Sequence, residues 1–273
     1  MHTQWINGAP VYLSAPFDFS FMAKYGKIIK VVENGSGSGN LCFCVEKGGR
    51  QYFVKFAGAP KAKFDYSLVD QAIGWLKSAA RVYTDLAHEH LIKFVFGEEA
   101  GGGYVNVFEW VDAECIGYPD PASRRRFLSL PLSQRMRAYD AILDFHAHAA
   151  QKGYVAIDFY ADQILYDFDN EKTFICDIDF YQKSPYYGDM GPWGSANFVS
   201  PEERVPGLRI DEITMVYTMG AAAFCLFADY DRSPAAWPLP AELYAVAGKA
   251  VSDGRGDRQQ SIGQFIREWR AYC

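Results

Sequence analysis

The sequence predicts an α+β protein in two parts, a five-stranded antiparallel sheet with one helix up to about residue 111 and a mainly helical part after it. Strand-like runs at 27–34, 41–46, 51–57, 92–98 and 103–109 surround a single helical stretch near 68–86. Beyond the Pro119-Asp-Pro-Ala-Ser loop the apolar residues fall at helical spacing instead. With 273 residues, 49% of them hydrophobic, the chain is long enough to bury a substantial core in each part.

Residues 1–26 are aromatic without a clear period, and the sequence assigns them no element beyond packing on the sheet. Next, Lys30-Val-Val-Glu reads as a strand and Leu41-Cys-Phe-Cys-Val45 as another, because β-branched and aromatic residues flank a run containing Gly35, Gly37 and Gly39. Only a permissive backbone turns there. In the following strand, Gln51-Tyr-Phe-Val-Lys55-Phe56, Lys55 stands among apolar neighbours, and an inward ammonium needs an anionic partner. No Glu occurs between Lys55 and Glu89, so the carboxylates available there are Asp65, Asp70 and Asp85, or the lysine works without that ion pair.

Pro119 to Ser123 forms a loop into a short helix, 122–128. Ser133 to about Lys152 is a longer helix with Met136, Tyr139, Ile142, Leu143, Phe145 and Ala149 on its apolar side, and His146 and His148 read as structural. The stretch 211–227 is apolar nearly all round and predicts a buried central helix. Near the end, Ser261 caps a final helix that reaches Trp269.

The chemistry concentrates in Gly153-Tyr-Val-Ala-Ile-Asp158-Phe-Tyr-Ala-Asp-Gln163-Ile-Leu165 and Ile175-Cys-Asp177-Ile-Asp179-Phe180. An Asp, an amide five residues later and a second acidic pair at the far end of a predicted β-hairpin suit a magnesium-nucleotide site. Solvated acids on an ordinary hairpin are the plain alternative.

These residues resemble the protein-kinase superfamily, in the manner of a divergent bacterial-type serine/threonine protein kinase. Gly153 to Asp158 is similar to the Gly-hydrophobic-hydrophobic-His-Arg-Asp of its catalytic loop, with Gln163 in place of Asn, and Cys176-Asp177-Ile178-Asp179 is similar to the later Asp-Phe-Gly. Asp177 fits the family spacing better, with Asp179 at the glycine position; the register that makes Asp179 the motif acid stays open. Gly194-Ser195-Ala-Asn-Phe198-Val-Ser-Pro201-Glu202-Glu203 resembles the Gly-Thr-x-x-Tyr-x-Ala-Pro-Glu element that closes an activation segment, and Glu109-Trp110-Val111 resembles the hinge that meets adenine.

The resemblance implies a bilobal protein-kinase-like fold: residues 1–111 as N-terminal extension and nucleotide-binding lobe, 112–273 as the lobe with catalytic loop and activation segment. It implies ATP and Mg2+ as cofactors and transfer of the γ-phosphoryl group to a Ser or Thr hydroxyl of a protein. Asp158 orients the hydroxyl, and Ser195 supports it. Lys55 grips the α/β-phosphates beneath a cover of Gly35, Gly37 and Gly39. Glu109 and Val111 hold the adenine, and Gln163 with Asp177 or Asp179 holds the metal. A small-molecule kinase of the aminoglycoside or choline type is one alternative, and a silent pseudokinase acting as a binding module is another.

Departures from the family pattern imply a slow or narrowly specific enzyme: Ala156 and Ile157 replace His-Arg, Tyr160 replaces a Lys, and Ala79 occupies the helix-Glu position. Arg258 is expected to pair with Glu202.

A formal charge of −6 disfavours a nucleic-acid partner. The Arg124-Arg125-Arg126 and Arg135–Arg137 clusters read as solvated helix faces. The six cysteines show neither zinc-site nor disulfide spacing and read as buried free thiols. With no apolar run approaching the length of a membrane span and no leader pattern, the expectation is a cytoplasmic protein that avoids membranes.

Overall fold

The computed structural model describes residues 1–33, 38–188 and 195–273. The chain forms two compact units, Met1–Ala87 with Ile92–Val111, and His88–Leu91 with Asp112–Cys273. Mixed α and β structure is present, with six α-helices and several antiparallel sheets among the described residues.

The first unit opens with a hairpin, β1 (His2–Ile6) and β2 (Ala9–Leu13), followed by β3 (Lys27–Glu33), β4 (Asn40–Lys47), β5 (Arg50–Ala57), helix α1 (Val69–Asp85), β6 (Phe94–Ala100) and β7 (Gly103–Glu109). Five of these strands form one sheet in the order β3-β4-β5-β7-β6, every neighbouring pair antiparallel. Strand and helix boundaries lie within two residues of those the periodicity predicts, because hydrophobic pattern and turn glycines agree throughout this stretch.

Strand alternation gives the sheet two different faces. Leu41, Phe43, Val45, Val54, Phe56, Val105 and Val107 point to one side and pack with Val11, Leu13, Phe19 and Met22. The N-terminal 25 residues, to which the sequence assigns no element, therefore pack on this face of the sheet; Phe17 and Phe21 lie 5.7 and 4.9 Å from the Phe56 ring. On the opposite face Ala57 and Tyr104 pack against Ala72 and Leu76 of α1, and Asn106 donates to the Leu76 carbonyl at 2.8 Å. Burial on both faces explains the unbroken apolar run of β4. At the β5–β7 pair a Cβ on Gly103 would lie 1.9 Å from the Ala57 carbonyl oxygen, so no larger residue fits there.

The second unit contains β8 (Glu114–Cys115), α2 (Pro121–Leu128), α3 (Leu132–Gln151), β9 (Tyr154–Val155), β10 (Ile164–Asp167), β11 (Lys172–Ile175), β12 (Gln182–Lys183), α4 (Glu212–Ala228), α5 (Ala241–Ala250) and α6 (Ile262–Arg270). Small sheets join β11-β10-β8 and β12-β9. Helix α4 is buried from Thr214 to Phe227. Its start is capped by Asp211, whose carboxylate accepts from the Ile213 N–H at 3.0 Å. Gly220 lets α5 approach, since a Cβ there would meet Ala250 Cβ at 2.7 Å. The expected Ser261 cap of α6 is formed, accepting from the Gln264 N–H at 3.0 Å. Helix α5 is absent from the sequence-based expectation: its short Ala-rich sequence has weak periodicity, and packing against α4 stabilises it.

Two arginines expected on solvated faces are buried instead. Arg124 is 9% exposed, bonds Asp229 Oδ1 through Nε at 3.0 Å and the Ile116 carbonyl at 3.1 Å, and stacks 4.5 Å from the Tyr230 ring. Arg135 donates to the Leu226 and Phe227 carbonyls at 3.2 and 3.4 Å, capping the C-terminal end of α4. Helical spacing identifies a face but not the carbonyls that another helix leaves in need of donors. Arg125, Arg126 and Arg137 are exposed. All six cysteines are free thiols; Cys42, Cys44 and Cys225 are buried, Cys115 and Cys176 are half-buried and Cys273 is exposed. No helix among the described residues is long and apolar enough to cross a membrane.

The Glu202–Arg258 pair forms with both oxygens engaged, Nη1 to Oε1 at 2.7 Å and Nη2 to Oε2 at 2.9 Å. Thr214 and Arg255 also bond Glu202 Oε1, at 2.9 and 2.7 Å, and Arg255 reaches Asp211 at 2.6 Å. Burial works to raise the Glu202 pKa, but the hydrogen bonds and charge of Arg258 outweigh it and hold the carboxyl below its ordinary value. Both partners are almost fully enclosed, so removing one strands the other charge in a poorly solvating site. Arg258→Met is expected to cost about 3–5 kcal/mol of stability, read from urea denaturation at pH 7. A loss below about 1 kcal/mol, the range of a solvent-exposed pair, would contradict the buried lock.

Candidate functional site

In the second unit Asp158, Asp162, Asp177 and Asp179 flank the β10–β11 hairpin. β9 delivers the chain to Ala156 and Ile157, both buried, and then to Asp158. Asp158 has φ +64° and Asp177, just beyond β11, has φ +54°. For a non-glycine residue the left-handed region costs about 1–2 kcal/mol, least for Asp and Asn. Strained backbone of this kind persists only where neighbours hold it.

Gln163 does the holding. Its side-chain amide donates to the Asp158 carbonyl, and its Oε1 accepts from the Tyr160 N–H at 3.3 Å. Its backbone N–H donates to the Tyr160 carbonyl at 3.0 Å, and its carbonyl accepts from the Cys176 N–H at 2.9 Å. One residue, 2% exposed, thus ties the turn at Asp158 to the strand end that precedes Asp177. The carboxamide expected to face a metal is turned onto its own loop, with one Oε1 lone pair remaining.

Asp177 is exposed, whereas Asp179 is 7% exposed and enclosed. Burial, reinforced by the carboxylates of Asp158, Asp162 and Asp177, pushes the half-buried Tyr160 phenol far above its ordinary pKa. Tyr160 therefore stays a neutral donor amid three acids. Asp162 accepts from the Tyr118 N–H at 2.7 Å.

Helix α3 supports the loop from below. His146 Nδ1 lies 2.7 Å from the Ile142 carbonyl and so carries the proton; Nε2 then accepts from the Tyr181 hydroxyl at 2.8 Å. Complete burial lowers its pKa to about 4. Phe159, the neighbour of Asp158, packs edge-on to the imidazole at 4.5 Å. Sequence spacing identifies His146 as structural but not that it sits beneath the candidate catalytic Asp.

Ser195 joins Asp158 in lining one small cleft, along with Glu203 and Thr218, over an apolar floor that includes Phe159 and Phe198. The Ser195 carbonyl accepts from Phe198 and Val199 at 2.8 and 3.3 Å, fixing the turn. Glu203 is the residue that sequence reasoning misses. The Glu202-Glu203 doublet is the available signal, but only its first member matches a motif.

The remaining sequence-predicted residues lie in the first unit. Lys55 is 5% exposed on β5, on the same face as α1, opposite Cys42 and Asn106. Ala79, at the helix-Glu position, is fully buried. Gly39 is enclosed, and a Cβ there would meet Ala72 Cβ at 2.5 Å and the Phe64 ring at 3.0 Å; packing against α1 by itself demands glycine here. The Glu109 N–H donates to the Lys93 carbonyl at 2.9 Å and its side chain pairs with Lys93 at 2.6 Å. Val111 is half-buried. Gly35 and Gly37 lie outside the described residues, as does Gly194.

Among the described residues no three His, Cys, Asp or Glu side chains converge on a metal-sized point. Magnesium does not require that: it binds through one or two carboxylates and takes phosphate and water oxygens for the rest. The exposed Asp177 carboxylate and the remaining Gln163 oxygen are hard donors of the appropriate kind. No protein-family model matches the chain, and no curated protein matches it significantly.

The neutral His146 makes a testable contribution. Its native pKa lies below the ordinary 6.5, so the unfolded chain binds the extra proton first as pH falls. Stability is complete above about pH 6.5 and declines by about 1.4 kcal/mol per pH unit down to about pH 4. In His146→Gln, urea midpoints measured from pH 7 to 5 are expected to fall less steeply than in the wild type. Parallel declines would show that His146 does not fold in neutral form.

Proposed function

We propose that this protein is an ATP- and Mg2+-dependent phosphotransferase of the protein-kinase-like, bilobal fold, transferring the γ-phosphoryl group to a Ser or Thr hydroxyl of a protein. The observation that carries the reading is the pair of left-handed acids, Asp158 and Asp177, fixed through Gln163 at the two ends of the β10–β11 hairpin. A hydroxyl-orienting carboxylate and a metal-facing carboxylate need a set separation, and this loop provides one.

Other features support it. The sheet order β3-β4-β5-β7-β6 with α1 on one face suits a nucleotide-binding lobe, with Lys55 buried on the α1 side. The second unit has the Glu202–Arg258 lock after the segment that begins at Ser195. This segment favours a protein acceptor over an aminoglycoside or choline.

In this reading Asp158 orients the acceptor hydroxyl and takes its proton, while Ser195, lining the same cleft, steadies Asp158. Asp177, exposed where Asp179 is enclosed, holds the metal with Gln163. Magnesium bound with ATP would offset charge on the phosphate oxygens. Lys55 grips the α/β-phosphates, and the Glu109 and Val111 backbone meets adenine. Tyr160 donates a neutral hydrogen bond where a cation would stabilise the transferred group more strongly, so turnover is slow.

The inward-turned Gln163 amide favours a second reading, a nucleotide-binding module without transfer. Labelled ATP with peptide and aminoglycoside acceptors, together with Mg2+-dependent thermal shift, separates the two. Asp158→Asn is expected to lower transfer by about 10²–10⁴-fold while retaining the nucleotide-induced rise in melting temperature. Asp177→Asn is expected to lose the Mg2+-dependent part of that rise, which at a hundredfold excess over Kd corresponds to about 2.7 kcal/mol. Undiminished transfer by Asp158→Asn would remove the catalytic assignment. A wild type that is stabilised by nucleotide but transfers nothing would support the binding module.

A further inference from the structure

The cleft shared by Asp158 and Ser195 contains a second carboxyl, Glu203, that the phosphotransferase reading leaves unused. Glu203 stands on the turn after Pro201, and its Oε2 accepts from the Ser200 N–H at 2.8 Å. Asp158 faces the same cleft from the loop and Thr218 faces it from α4. Thr218 donates to the Thr214 carbonyl at 3.3 Å, within its own helix. Glu202 and Arg258 are also in electrostatic reach, but Arg258 is spent bidentately on Glu202. On the turn itself, Arg204 is directed to the Ala196 and Val199 carbonyls at 3.1 and 3.4 Å. Two carboxyls therefore share a confined space, and neither Arg258 nor Arg204 is directed to Glu203.

Enclosure by protein penalises the ionised form of a carboxyl, so Glu203 keeps its proton in this cleft. We propose that Glu203, in its neutral form, is a positioning residue: its carboxyl O–H donates into the cleft toward Asp158 and keeps the Ser195 segment closed on the loop that carries Asp158. Enclosure by protein is the largest influence on this carboxyl and raises its pKa; the nearby Glu202 charge raises it further, Ser200 and Arg258 oppose this, and the result is about 7. Above that pH Glu203 ionises within the cleft it shares with Asp158, and its O–H no longer donates.

The kinetic consequence rests on the phosphotransferase reading; the consequence for stability does not. Because the native pKa lies above the unfolded value of about 4.5, the stabilising neutral form is complete below pH 4.5 and is lost as pH rises through about 7. Glu203→Gln, a permanently neutral isostere, is expected to melt about 3 °C or more above the wild type at pH 8 and within about 1 °C of it at pH 5. The same difference at both pH values would overturn the proposal, whatever the absolute stability of the variant.

The second arm follows phosphoryl transfer from pH 6 to 8. The wild type is expected to lose about tenfold with a midpoint near pH 7, Glu203→Asp to retain a pH-dependent fall, and Glu203→Gln to change by less than about twofold. A Glu203→Gln profile that follows the wild type would refute the positioning role. A wild type with no transfer at any pH would instead count against the phosphotransferase reading, and the melting comparison alone would then decide Glu203.

Discussion

The candidate site depends on a set of hydrogen bonds made by one residue. Gln163 engages the backbone of Asp158, Tyr160 and Cys176 through both ends of its side chain and both of its main-chain polar groups. Each such bond contributes about 0.5–1.5 kcal/mol net. Together they match the cost of holding Asp158 and Asp177 in left-handed backbone, about 1–2 kcal/mol each. Without Gln163 that balance reverses, and the two acids lose their fixed separation. A shorter Asn would leave its carboxamide about one bond further from the Asp158 carbonyl, so the extra methylene has a structural use.

The loop is also held from outside. Beneath it, α3 supplies the His146–Tyr181 hydrogen bond and the edge contact to Phe159. On the far side of the Ser195 cleft, Glu202 is fixed by Arg258, Arg255 and Thr214, which joins the turn carrying Glu203 to the start of α4. Ionisable groups are thus sorted by environment. Glu202 is held charged by its arginines, Tyr160 and His146 are held neutral by burial, and Glu203 lies between these extremes. That sorting lets neighbouring carboxyls have different protonation states near neutral pH.

Much of the architecture is legible in the sequence because several local signals agree. In the first unit alternation, β-branched residues and turn glycines give five strands and α1 to within two residues. In the second, the apolar stretch after Asp211 gives α4, and Ser261 gives the start of α6. The Glu202–Arg258 pair is expected from the resemblance of the segment around Arg258 and the Ser261-capped helix to the last element of the kinase fold, and it forms. Where only one signal exists, the reading is incomplete. The uneven aromatics of residues 1–26 give no period, yet their rings pack on a sheet face. Arg124 and Arg135 lie on helices whose spacing permits exposure, and their burial depends on Asp229, Tyr230 and the end of α4, distant in sequence.

The sequence by itself determined which residue types stand at which spacing: Asp158, Gln163 and Asp177 around a hairpin, Lys55 within an apolar strand, and glycines at the turns. Those features are local, and local propensity and periodicity encode them. Only the tertiary structure decided that Gln163 faces its own loop, that Gly39 is small because Ala72 and Phe64 press on it, and that Glu203 shares a cleft with Asp158. Side-chain direction, desolvation and charge proximity arise from elements far apart in the chain, and no window of sequence contains them.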